Sequence, residues 1–109
     1  MEAKELRIGN LILWKGVQLQ KVDSSIIARA ELDPEGFNFN YSPISLTEKW
    51  LFRLGIEENY DNPTYQLDSF ILDEKFQPIE DSKIEYKLEF VHQLQNSYFA
   101  LCGEELELK

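Results

Sequence analysis

Residues Phe90 to Leu108, reading FVHQLQNSYFALCGEELEL, constrain the fold more than any other stretch of the chain. Val91, Leu94, Tyr98, Leu101 and Cys102 recur at three- and four-residue spacing, which lines them along one side of a helix as an apolar stripe that must face a core. Gln93, Asn96, Ser97 and Ala100 fall on the opposite side. Gly103 follows the last periodic residue, and a left-handed residue at that point costs little only for glycine, so the helix is predicted to stop there. Gln95 lies within the stripe, between Cys102 and Phe99, so its amide is expected to be partly buried and to need partners. An unpaired buried amide costs about 1–3 kcal/mol. His92 sits at the edge of the stripe beside Phe99.

His92, Gln95 and Asn96 therefore form a candidate polar cluster. Either it binds a ligand or a partner's backbone, or it ties the helix to a neighbouring sheet, the ordinary fate of buried polar groups. His92 is the one histidine, and no HExxH or Cys-His spacing occurs, so neither a metal site nor a cofactor is expected. Cys102 is the one cysteine, which excludes an intramolecular disulfide and fits a reducing cytosol. A nucleophilic thiol needs a base and an orienting group in space, whereas Cys102 falls on the apolar stripe and is expected to be a small core residue. No catalytic residue is assigned.

The 109 residues are enough for one domain with a single core, and the 13% aromatic content is that of a folded chain rather than a disordered tail. No stretch approaches the roughly 20 apolar residues that span a bilayer. The opening MEAKELRIGN lacks the basic-then-apolar layout of a secretory signal, so a cytoplasmic protein without membrane contact is expected. The net charge of −9 is unevenly placed: residues 1–54 carry seven Lys/Arg and seven Asp/Glu, residues 55–109 four and thirteen. The field of the second half repels a phosphate backbone and argues against nucleic-acid binding there. Acidic pairs such as Glu57-Glu58, Asp73-Glu74, Glu80-Asp81 and Glu104-Glu105 read as solvated surface, with an acidic face imitating DNA charge as the sharper alternative.

Along the chain, Leu11–Trp14 and Val17–Val22 flank Lys15-Gly16 and predict a β-hairpin, with Gly9-Asn10 a turn or bulge before it. The spacing of Gly9 and Gly16 also suits the opening of a small SH3-like barrel. Ser25–Leu32 is read as a third strand in preference to a short helix, and Asp33-Pro34-Glu35-Gly36 as a turn. Phe37, Phe39 and Tyr41 alternate with Asn38, Asn40 and Ser42, which predicts a strand with an aromatic row on its core face, or on a ligand-binding face if exposed. Thr47 is placed to cap a second helix over Glu48–Leu54, with Leu46 and Leu51 as its hydrophobic staple and Gly55 as its stop. Glu57–Pro63 reads as an acidic loop. Strands are expected at about Tyr65–Leu72 and Lys83–Glu89, and a short edge strand around Leu106 and Leu108.

Three segments carry a resemblance: Leu6-Arg7-Ile8-Gly9-Asn10, then Pro43-Ile44-Ser45-Leu46-Thr47-Glu48-Lys49-Trp50-Leu51, then Val91 to Leu101 with Gly103-Glu104-Glu105-Leu106. Together they resemble a family of small uncharacterised proteins of Bacteroidetes and their phages and other mobile elements, the VHQLQNSYFAL segment most specifically. The resemblance implies a genetic setting and supplies no activity, cofactor or catalytic residue.

The expected fold is thus a single α+β domain, a mostly antiparallel sheet with two helices packed on it. The expected role is a non-enzymatic interaction or accessory protein with an unidentified protein partner. A homo-oligomer stays open. Two rival binding roles remain: a nucleic-acid module using Arg7, Lys15, Lys21 and Arg29 with Trp14, and an acidic inhibitor that mimics DNA. A small enzyme fits least, because no phosphate-binding glycine loop or serine-nucleophile motif is present.

Overall fold

A computed structural model describes residues 1–59, 64–67, 70–77 and 88–108. After a 3-10 turn at Ala3–Glu5, the hairpin forms as the sequence predicts: β1 (Leu11–Trp14) pairs antiparallel with β2 (Gln18–Lys21), with Leu13 opposite Leu19. Lys15 and Gly16 have φ of 55° and 75°, and the Val17 N–H donates to the Trp14 carbonyl, so the link is a tight turn of the primed kind that suits strand twist.

The next two segments are helices where strands are expected. α1 spans Ser24–Leu32 and α2 Pro34–Asn40. The deciding forces are caps. The Asp23 carboxylate accepts the Ile26 N–H at 2.9 Å and the Ser25 hydroxyl at 2.7 Å, which starts α1. Asp33 then closes α1 through its N–H to the Arg29 carbonyl and opens α2 by accepting the Gly36 N–H at 3.1 Å, with Pro34 in the first turn where its missing N–H is not needed. Helical spacing turns the apparent aromatic row into something else: Phe37 and Tyr41, four residues apart, stack at 5.0 Å in the core, while Phe39 is 82% exposed.

β3 (Tyr41–Ser42) adds to the free edge of β1, giving the sheet order β2-β1-β3. α3 (Glu48–Arg53) begins at Thr47, whose hydroxyl accepts the Trp50 N–H, and Gly55 follows with φ of 87°. A second antiparallel sheet, β4-β5-β6, joins Glu57–Asn59, Thr64–Leu67 and Phe70–Leu72. The start of the expected acidic loop is thus a strand, and the single strand expected over Tyr65–Leu72 is two strands of a hairpin with Leu67 opposite Phe70. The Tyr65 hydroxyl donates to the Glu48 carboxylate at 2.6 Å, fastening this sheet to α3, and that bond first, with burial, pushes the phenol pKa up to about 12. The expected strand over Lys83–Glu89 lies mostly outside the described residues.

α4 spans Val91–Cys102 and ends at Gly103 with φ of 73°. Its buried residues are Val91, His92, Leu94, Gln95, Ser97 and Tyr98, whereas Leu101 is 48% exposed. Ser97 is therefore inside and Leu101 outside the predicted stripe. In the last turn Phe99, Ala100 and Leu101 are exposed, and Cys102 alone packs against the core. Leu106 is buried but belongs to no strand, so the expected terminal edge strand is absent among the described residues.

Alternation along β1 organises the interior. Leu11 and Leu13 turn toward a large cluster built with Leu51, Leu54, Ile56, Leu72 and Leu94, while Ile12 turns to a smaller one with Val22, Ile26, Phe37 and Tyr41. The two clusters share β1, which makes the described chain one α+β domain with two small sheets and four helices. Neither sheet closes into a barrel among the described residues, so the SH3-like expectation does not hold; the chain turns helical at Ser24 instead of supplying a further strand.

Candidate functional site

The polar residues singled out on α4 gather on its side facing the amino-terminal segment. Gln95, 1% exposed, accepts the Leu11 N–H at 2.8 Å and donates to the carbonyls of Gly9 and Leu106 at 3.2 and 3.3 Å. One side chain thus joins the start of β1, the turn before it and the segment after α4. Asn96 donates to the Glu5 carbonyl at 2.7 Å and accepts from Asn10 at 2.9 Å and from the Arg7 guanidinium at 3.3 Å. Asn10 is itself fully buried, and its side-chain oxygen accepts the Arg7 N–H at 2.8 Å. Gly9, at φ of 98°, provides the left-handed residue that this turn needs.

Arg7 occupies the outer end of the network. Its guanidinium lies 3.7 Å from the centre of the Phe99 ring and pairs with the Glu105 carboxylate. Gln93 completes the start of the helix by accepting the N–H groups of Glu89 and Phe90. An open cleft of about 490 Å³ lies over this surface, lined by Lys4, Glu5, Arg7, Gln93 and Asn96.

His92 is fully buried, its ring stacked on Phe90 at 5.9 Å and its Nε2 3.3 Å from a Glu5 carboxylate oxygen. That contact places the proton on Nε2 and leaves Nδ1 an acceptor, buried and without a partner among the described residues. Burial lowers the imidazole pKa and outweighs the opposing pull of Glu5, so the ring is neutral at pH 7. Cys102 lies ten residues further along the same helix, a rise of about 15 Å, too far for a thiol–imidazole pair. It is half-buried against the large core. Among the described residues no group of three or more His, Cys, Asp or Glu is arranged to hold a metal ion. No helix among them is long and apolar enough to cross a membrane.

The structure thus brings all three predicted cluster residues together and supplies their partners from sequence-distant positions: Glu5, Arg7, Gly9, Asn10 and Leu11. Arg7 and Asn10 gave no local signal of this role, since a turn asparagine and a surface arginine read the same way whatever lies across from them. The three segments that carry the sequence resemblance meet here as well. Leu6–Asn10 docks on α4 through Gln95 and Asn96, and the Pro43–Leu51 segment reaches its first turn through the Val91 N–H to the Ile44 carbonyl and the Leu46 N–H to the Glu89 carbonyl, both at 2.9 Å. Comparison with family models, with curated proteins and with solved structures finds no match.

A second grouping was only partly visible in the sequence. At the hairpin tip the Lys15 ammonium lies 5.6 Å from the Trp14 ring centre and 5.3 Å from that of Phe39. Trp14, Val17 and Phe39 are 37%, 84% and 82% exposed. The helical rather than extended course of residues 34–40 is what carries Phe39 to this surface.

Proposed function

We propose that this chain is a non-enzymatic protein-interaction protein, an accessory factor of a phage or other mobile element acting in the cytoplasm. The observation that carries this reading is the exposed Trp14–Lys15–Val17–Phe39 cluster, since large apolar side chains grouped at a surface mark a contact site more often than scattered ones do. The polar cluster on α4 supports it from the other side. Gln95 and Asn96 spend their hydrogen bonds on the chain's own backbone and side chains, and His92 is neutral, buried and far from Cys102 along the helix.

The nucleic-acid alternative draws on the same tip, because Trp14 and Phe39 offer rings for base stacking. It loses Arg7, whose charge is met by Glu105. Affinity purification of the tagged chain from its host, beside a Trp14→Ala/Phe39→Ser variant, separates the readings. A protein recovered in near-equal amount with the parent and depleted with the variant is expected. Recovery of nucleic acid or a metabolite in its place would defeat the proposal.

A further inference from the structure

We infer that the hairpin tip and the end of α2 form a docking surface for an acidic, apolar segment of a partner protein, with Lys15 as its charge contact; this rests on the interaction reading above. The surface is held in place before any partner arrives. The Lys15 N–H donates to the Asn40 carbonyl at 2.7 Å, which pins the tip to the end of α2, and the Val17 N–H closes the turn on Trp14. Lys15 also stands in the left-handed region at φ of 55°, where glycine or asparagine sits with less strain. A lysine kept there places a cation between two exposed rings at a cost to the turn, and backbone strain of this kind gathers at functional positions.

Among the described residues no carboxylate lies within ion-pair distance of Lys15, although the chain carries 20 Asp and Glu. One side of the ammonium rests over the rings of Trp14 and Phe39, and the other remains available to an anion. The complement is therefore a carboxylate flanked by aromatic or long aliphatic side chains that cover Trp14, Val17 and Phe39. A nucleic acid would bring a phosphate at every step against a chain of net charge −9, whereas a segment with one or two carboxylates meets far less repulsion.

Selection of random linear peptides displayed on phage against the whole immobilised chain tests the assignment, followed by titration of the best peptide with three variants. Selected peptides are expected to combine Asp or Glu with aromatic or aliphatic residues. Lys15→Glu and Phe39→Ser should each weaken that peptide at least tenfold, and replacing its acidic residue with lysine should restore binding to Lys15→Glu. Lys15→Gly provides a control that misfolding cannot imitate, because it should raise the thermal midpoint while weakening the peptide. Selection of basic or charge-indifferent peptides, or titrations that the variants leave unchanged, overturns the docking site. If a partner protein still binds the parent and all three variants alike, the interaction reading stands and this surface alone falls; if neither peptide nor partner binds, both fall.

Discussion

At the residue scale the most consequential group is a buried histidine, one of whose ring nitrogens meets no partner among the described residues. His92 is buried between Phe90 and Glu5, and among the described residues its Nδ1 has no partner, so protonation would create a buried N–H with none of them to accept it. Burial first, against the opposing attraction of Glu5, holds its folded pKa below the ordinary 6.5; the terminal amino group adds a small unfavourable charge. The unfolded chain therefore takes up the proton more readily. Stability is expected to be fully present above about pH 6.5 and to fall as pH drops from there through the folded pKa. Unfolding free energies at pH 7.5 and 5 for the parent and His92→Gln check this, the variant losing less on acidification. An identical loss in both would show that other groups govern the acid limb. The burial of Gln95 was legible, because its position within an apolar stripe forces the question of partners. Those partners, Leu11, Gly9 and Leu106, were not, since helical spacing says which way a side chain points and nothing about which backbone lies opposite.

At the scale of elements, α4 is expected to carry the fold. Leu94 is fully buried in the large cluster, so Leu94→Ala should lower the unfolding free energy by about 2–5 kcal/mol, read as a shift in denaturation midpoint at unchanged slope. The junction of α1 and α2 allows a finer test. A Cβ at Gly36 would strike the Asp33 carboxylate that caps α2, so Gly36→Ala must expel the cap. The usual gain of about 1 kcal/mol for alanine over glycine in a helix is then offset by a lost cap of similar size. Gly36→Ala should be nearly neutral in the parent and stabilising by about 1 kcal/mol in an Asp33→Ala background; equal effects in both backgrounds would refute the clash. The same junction explains why α1 and α2 are helices where strands are expected. Alternation of Ala30 with Leu32, and of Phe37, Phe39 and Tyr41, suggests strands, whereas Asp23 before Ser24-Ser25 and Asp33 before Pro34 cap helices and decide both segments. α3 and α4 were legible because their stop glycines and apolar spacing agree. The two sheets were only partly so, as short strands such as β3 and β4 owe their existence to the neighbour they pair with.

For the whole molecule the uneven charge is the governing feature. With four Lys/Arg against thirteen Asp/Glu in residues 55–109, and Arg7 already paired, duplex DNA, single-stranded DNA and RNA are expected to show no micromolar binding at physiological salt. Gel-shift titrations provide the measurement, and micromolar binding that weakens steeply with salt would refute it. Charge balance was fully legible in the sequence, whereas the placement of Lys15 between two rings required the fold.

The bond from the Leu11 amide to Gln95 spans 84 residues of chain, and its neighbours between Asn96 and the amino-terminal turn span 86 to 91. Closing so long a loop costs entropy that is recovered only when both ends are already ordered, so these contacts form late in folding. The same geometry makes the Leu11 amide a reporter. While α4 stays docked, solvent deuterium cannot replace that proton, and no fraying of the hairpin tip releases it. Its exchange rate in native buffer should therefore match the rate set by complete unfolding, and Leu94→Ala should accelerate it by the full factor that its stability loss implies.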